Sequence, residues 1–407
     1  MNWLSVTALV SPMPSWRFFV LILAATPLAY YIAATVAALR FFKRERAREL
    51  APFAPGASLL KPVRGVDFSS YENFESFCTQ EYPEYEILFG VGDAADPAVP
   101  LIQRIIAEFP QRRISLFIGA EQIGANRKVN MLARLAREAR HEILVLTDGD
   151  IRVGPAYLKE VVAPFADKRV GAVTSFYRGI TEKNLGAELE AVGTASDFFA
   201  GVLMANWMEG ITFGLGASIV TTREWVAKIG GFQAIADMLA DDYELGHRIA
   251  NAGGKILLSR EEVWTMYPAQ TARGFWQHQV RWARTVRLCR PLSFAGLIFT
   301  HGLPWALLAA VTAPATWIAS AYLLAYLGLR LTMAWTVGVW GLGDDVLRRK
   351  LWLVPLRDAI HFIVWLASFG SNRIHWGGEE FIMRRGRLVS TTASEFPDAG
   401  VASQGRR

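Results

Sequence analysis

Two carboxylates one residue apart, Asp148 and Asp150, close the apolar run Glu142-Ile-Leu-Val-Leu-Thr147. On a loop leaving a buried strand, such a pair can share one hard divalent cation that keeps several waters and bridges a substrate diphosphate. Neutralising a leaving nucleoside diphosphate is what sugar transfer asks of such an ion. A D-x-D tripeptide by itself is as often a solvated turn, so its place directly after the run is what singles it out. Asp93 ends a second run, Phe89-Gly-Val-Gly-Asp93. There a carboxylate can accept a hydrogen bond from a base or ribose, with Gly90 and Gly92 permitting close approach, or it can simply close a strand-to-helix turn. Lys61 after Ser58-Leu-Leu60 is a phosphate or base contact, or a surface lysine.

Gly124-Ala-Asn126-Arg127-Lys128-Val-Asn130 sets two cations at a helix start, where free N–H groups attract phosphate; a capped, solvated helix start is the plainer alternative. Asp241-Asp242 opens a helix that continues to Ala250. Carboxylates there interact favourably with the helix dipole, or one of them takes the proton from an acceptor hydroxyl as it attacks an anomeric carbon. In Gln277-His278-Gln279-Val280-Arg281-Trp282-Ala283-Arg284, the Arg-Trp pair either anchors the chain at a membrane surface or serves a site. In the second case Arg281 binds a diphosphate and Trp282 packs at the entrance used by the acceptor.

The elements that must position these groups alternate between residues 57 and 268. Strands are expected at Glu86–Val91, Ile114–Ile118 and Glu142–Thr147, with helices at Pro100–Phe109 and Lys128–Arg140. That alternation predicts parallel β-α-β units in a three-layer α/β domain, with ligands at the carboxyl ends of the strands. Outside it the chain is apolar. Arg17 to Arg40 carries no charge between its ends, long enough to cross a hydrocarbon core of about 30 Å. Lys43, Arg44, Arg46 and Arg48 follow it, while the first sixteen residues hold no Lys or Arg, so the positive-inside rule predicts an outer N-terminus and a cytoplasmic main domain. Leu292–Ala313 and Thr316–Val339 read as further spans. Leu351–Phe369, which contains Arg357, Asp358 and His361, reads as a span or as an interfacial or re-entrant segment. The expected division is 1–16 outside, 17–42 transmembrane, 43–56 a basic linker, 57–268 catalytic, 269–291 interfacial, 292–371 transmembrane or re-entrant, and 372–407 a polar tail.

An apolar fraction of 52%, 14 Trp and a net charge of +6 suit a membrane surface and phosphate ligands. The basic residues are not interleaved with aromatics, and no helix-turn-helix or zinc-finger spacing occurs, which sets nucleic acid aside. The two cysteines, Cys78 and Cys289, predict no disulfide framework, and neither they nor the six His fall at zinc-ligand spacing.

Taken in order, SLLKPVRGVD (58–67), YENFESFCTQEYPEYEILFGVGDAADPAV (71–99), GANRKVN (124–130), LTDGDIRVGPAYL (146–158), GAVTSFYRG (171–179), GGFQAIADMLADDYELG (230–246) and HQVRWART (278–285) resemble the ceramide glucosyltransferase family. Bacterial hopanoid-biosynthesis glycosyltransferases are similar to the same stretches. The resemblance implies a GT-A, Rossmann-like nucleotide-diphospho-sugar transferase domain flanked by transmembrane helices. It implies that Asp93 contacts the nucleotide, that Asp148 and Asp150 hold Mg²⁺ or Mn²⁺ and the donor, and that Asp242 is the general base, Asp241 being its neighbour. Arg281 and Trp282 match the R-W of the family's Q/R-x-x-R-W element; His278 departs from its first position. The implied reaction is a single displacement with inversion, from a UDP-hexose to a lipid hydroxyl at the bilayer. Ceramide with UDP-glucose comes first, and a hopanoid with UDP-N-acetylglucosamine is the alternative acceptor and donor. A processive polysaccharide synthase shares the D-D-D-R-W pattern but needs more spans for a polymer channel, and a non-catalytic membrane scaffold would not need all the acidic positions.

Overall fold

The structure, a computed structural model, describes residues 14–376, 379–384 and 387–390. Eight strands form one sheet: β1 (Ala57–Val63), β2 (Tyr85–Val91), β3 (Arg113–Ile118), β4 (Ile143–Thr147), β5 (Ile151–Arg152), β6 (Val170–Thr181), β7 (Ser218–Thr222) and β8 (Lys255–Tyr267). They lie in the order β3-β2-β1-β4-β7-β6-β8-β5. β1 pairs in parallel with both β2 and β4, aligning Leu88, Leu60 and Leu146. Every residue of β2 and β4 is buried, as the unbroken apolar runs require of strands covered by helices on both faces.

The sheet is not wholly parallel. β7 runs antiparallel to β4 and β6, and β5 antiparallel to β8. β-α-β units therefore describe only its first half. The reversal has a use: Thr147 pairs with Ser218, so the start of β7 and the loop before it lie at the carboxyl edge of β4.

Gly90, read from sequence as clearance for a ligand, faces the Arg127–Glu138 helix, where a β-carbon would overlap Met131. Gly92 faces open space. Helix packing accounts for the first of the two.

Among the described residues, three helical stretches are long and apolar enough to cross a membrane: Ser15–Arg46, Thr316–Gly341 and Asp345–Ser368. The expected span over 292–313 is instead a bent pair, Pro291–Thr300 and Gly302–Thr312, meeting at 48°. The backbone groups freed at the break find partners. The Tyr31 hydroxyl accepts from Gly302 N at 2.9 Å and donates to Thr300 O at 3.2 Å, while Trp305 Nε1 donates to Ile298 O at 2.8 Å. Conversely, two of the three polar residues that weakened the reading of 351–369 are paired inside the protein. Asp358 holds Arg330 at 2.8 Å and His361 meets Asp197 at 2.6 Å. Pairing of this kind lets an otherwise apolar segment carry them.

The region after residue 372 is not a featureless tail. β9 (Arg373–Trp376), β10 (Glu379–Arg384) and β11 (Arg387–Ser390) form an antiparallel sheet. Ile374, Phe381, Met383 and Leu388 from it pack on Leu239. Residues 391–407 of the expected polar tail and residues 1–13 of the expected outer segment lie outside the described residues.

Candidate active site

The loop Asp148-Gly-Asp150 leaves β4 at its carboxyl end and runs straight into β5. Three contacts fix it. Ile151 pairs with Thr265 on β8, and the Thr265 hydroxyl donates to Asp150 Oδ2 at 3.1 Å. From beneath, Lys61 on β1 donates Nζ–H to Asp148 O at 2.7 Å. Lys61 is wholly buried, with its ammonium 4.1 Å from the Phe77 ring centroid. Burial pulls its pKa down to about 7 against the upward pull of Asp150 and Asp148. Of the two sequence readings, a phosphate or base contact or a surface lysine, burial excludes the second, and the ammonium supports the loop backbone.

Asn126 caps the Arg127–Glu138 helix, accepting from Lys128 N at 3.0 Å and Val129 N at 3.2 Å. Its amide also donates to Met238 O at 2.7 Å, tying this helix start to the turn before Asp241. Lys128 therefore projects between two acidic segments. Its ammonium is 2.6 Å from Asp148 Oδ1 and 3.3 Å from Asp241 Oδ2. Burial disfavours that charge, but Asp148, Asp241 and Asp242 outweigh it and keep Lys128 protonated.

Asp242 is pushed up to about 6, first by burial and then by Asp241, with Lys128 opposing. Gly216 faces it so closely that a β-carbon there would lie 2.9 Å from Asp242 Oδ2. Asp150 is likewise raised to about 6 by burial and by Asp148. Lys128, Thr147, Asp148, Gly216, Asp241 and Asp242 line a narrow cleft that opens to solvent.

Among the described residues no three His, Cys, Asp or Glu side chains are grouped to hold a metal. The donor set nevertheless suits Mg²⁺ or Mn²⁺, which take one or two carboxylates and fill their remaining positions with water and phosphate oxygen. Asp148 and Asp150 supply hard oxygens, and beyond the effect of burial, the push that Asp148 adds on Asp150 is like-charge repulsion that a dication would relieve.

The remaining expected residues stand around this cluster. Asp93 is exposed on the loop after β2, with β1 between it and β4, and accepts from Ala95 N at 2.9 Å. Arg281 and Trp282 lie on the Ala272–Cys289 helix. The Arg281 guanidinium makes no hydrogen bond or ion pair among the described residues; burial lowers its pKa and Glu190 partly offsets this. Glu190 itself is 2.8 Å from His278 Nδ1, so His278 serves as a buttress on the same helix. Burial raises the pKa of Tyr177, and Tyr267, Asp242, Glu190 and Asp148 push it the same way. Trp282 is 40% exposed, with its ring 5.7 Å from Phe198.

Thr265, Gly216 and Glu190 went unread in the sequence. A threonine within Val263-Trp264-Thr265-Met266 is an ordinary strand residue until sheet pairing sets it beside Asp150.

The family model for glycosyl transferase family 21 matches residues 19–389. Ceramide glucosyltransferase 3 of Caenorhabditis elegans is 26% identical over 231 residues, covering 56% of this chain and 50% of that protein. Ceramide glucosyltransferase 1 of the same organism is 24% identical over 263 residues, covering 62% and 56%. The chain thus spans about half the length of these curated relatives. Among solved structures, the mannosyltransferase PcManGT from Pyrobaculum calidifontis, in complex with GDP-Man and Mn²⁺, is similar at a TM-score of 0.47 and 18% identity, covering 86% of this chain and 99% of that one.

Proposed function

This chain belongs to glycosyl transferase family 21, and from that premise we propose that it transfers a hexose, glucose in the first instance, from a UDP-sugar to a hydroxyl of a membrane lipid such as ceramide. The observation that carries the reading is the convergence of Asp148 and Asp241, from two acidic segments about ninety residues apart, on the single ammonium of Lys128, whose charge Asp242 also favours.

In this reading Asp148 and Asp150 hold a divalent cation, which supplies charge neutralisation to the departing UDP. Asp93 accepts a hydrogen bond from the nucleotide. Lys128 passes from carboxylate to donor phosphate, and Arg281, which has no anionic partner of its own, takes the diphosphate from the other side. Asp242 accepts the proton of the lipid hydroxyl as its oxygen attacks the anomeric carbon opposite the leaving UDP, which inverts that centre. A carboxylate titrating near 6 is ionised at neutral pH and is a better base than an ordinary aspartate. Trp282 lines the acceptor's approach.

The apolar helices bring the acceptor to this edge of the sheet. Lys43, Arg44 and Arg46 close the first of them and favour a cytoplasmic catalytic domain on the cytoplasmic membrane. Mass spectrometry of lipids from a host expressing the chain tests the proposal against an Asp150→Ala control. A hexosyl-lipid in the wild type alone is expected; identical lipid profiles for the two would refute it.

A further inference from the structure

From Leu185 to Met208 the chain is helical, but hydrogen bonding slips into one wide π-helical stretch, Thr194–Phe198. Such turns are rare and occur mostly at functional sites. This one sends three consecutive residues to three partners. Ser196 O accepts from Arg330 Nη1 at 2.9 Å, Asp197 Oδ2 lies 2.6 Å from His361 Nδ1, and Phe198 packs on Trp282.

The first partnership is closed. Arg330 is 1% exposed and also holds Asp358, whose carboxylate accepts from Tyr326 at 2.9 Å. The second is open. Asp197 and His361 remain 28% and 27% exposed, and Asp197 Oδ1 has no hydrogen bond among the described residues. His361 belongs to the Asp345–Ser368 stretch, one of those apolar enough to cross a membrane. Beside it His301, 7% exposed, has its ring centroid 5.0 Å away and leaves Nε2 without a partner. One turn before His361 stands Arg357, 8% exposed. Its Nη2 donates to Gln279 Oε1 at 2.6 Å, but Nε and Nη1 have no partner. Arg357 packs on Gly193, one turn before Asp197, where any β-carbon would overlap the guanidinium. The two helices thus meet as Gly193 on Arg357 and Asp197 on His361.

Leaving buried donors unpaired is costly, and ionisable groups in apolar segments mark substrate positions. The unpartnered atoms comprise a partly exposed carboxylate oxygen that accepts, buried guanidinium N–H groups that donate, and a buried imidazole nitrogen able to do either. A lipid head with only the one hydroxyl that reacts could not engage them. We propose that Asp197, His361, His301 and Arg357 form a cradle for the polar head of the acceptor lipid. The acceptor class is then one that carries an amide or a further hydroxyl beyond the attacked oxygen. This rests on the lipid-transfer reading above and adds the acceptor's chemistry to it. Phe198 on Trp282, next to Arg281, links the cradle to the donor side.

The test is binding of a fluorescent short-chain ceramide, and of a fluorescent fatty alcohol of equal length, to the full chain in phosphatidylcholine nanodiscs, with Mn²⁺-UDP binding measured in parallel. The wild type is expected to prefer the ceramide at least about ten-fold, and Asp197→Asn and His361→Gln each to lose about that factor while UDP affinity stays within two-fold. His301→Gln, which changes no carboxylate, takes the place of either variant that also loses UDP. Equal affinity for the two lipids, or wild-type ceramide affinity in variants that bind UDP, would overturn the cradle. A wild type that binds no UDP would instead sink the transferase reading beneath it.

Discussion

Asp242 is a carboxylate whose surroundings disfavour its charge, and that determines how the rate should vary with pH. Its value is raised to about 6 by burial and Asp241, and a general base works only when ionised. The rate of lipid glycosylation should therefore rise as pH increases through about 6 and level off above it, a profile read from initial rates at saturating metal. Asp242→Asn should lower kcat by about 10²–10⁴ with little change in the KM for UDP-sugar, because the amide keeps the shape but accepts no proton. A KM effect with unchanged kcat would assign Asp242 to binding instead. These carboxylates were legible in the sequence because each follows an apolar run or opens a helix. The role of Lys61 was not, since nothing in Ser58-Leu-Leu-Lys61 says that the side chain turns beneath β4's loop instead of toward solvent.

At the scale of elements, the acidic loop is held by its neighbours in the sheet and not by its own sequence. Lys61→Met keeps the volume but removes the donor to Asp148 O. It should raise the metal concentration needed for half-maximal rate about ten-fold, consistent with losing a charged hydrogen bond to the loop; a metal titration checks this. Gly216→Ala places a methyl 2.9 Å from Asp242 Oδ2, so the base must shift. The expected result is a kcat loss of about ten-fold or more with donor affinity retained, since displacing a catalytic group by a fraction of an ångström is enough. The central strands were readable because burial on both faces makes them continuously apolar. The antiparallel β7 and the β9–β11 sheet were not. In β7 the reversal is decided by pairing, and in the terminal sheet short alternating stretches such as Phe381-Ile-Met383 carry little periodic signal on their own.

For the whole molecule, apolar helices and catalytic sheet are joined by paired charges within the helical region. Arg330 is buried against Asp358 and Ser196, so it ties the Thr316–Gly341 stretch to the helix that leaves the sheet after β6. Asp358→Leu would strand that guanidinium and should cost about 3–5 kcal/mol, whereas the double change Arg330→Met with Asp358→Leu should recover most of the loss. Thermal unfolding of both variants in detergent measures the difference. The sequence showed these charges as flaws in an apolar segment because their partners lie far along the chain. The most direct measurement of the whole account is UDP release from UDP-glucose by the chain reconstituted in vesicles, with and without ceramide, metal chelator, Asp150→Ala and Asp242→Asn. Release that requires ceramide and divalent metal and collapses in both variants is the predicted result. Release at the wild-type rate from either variant, or release indifferent to the lipid, would contradict it.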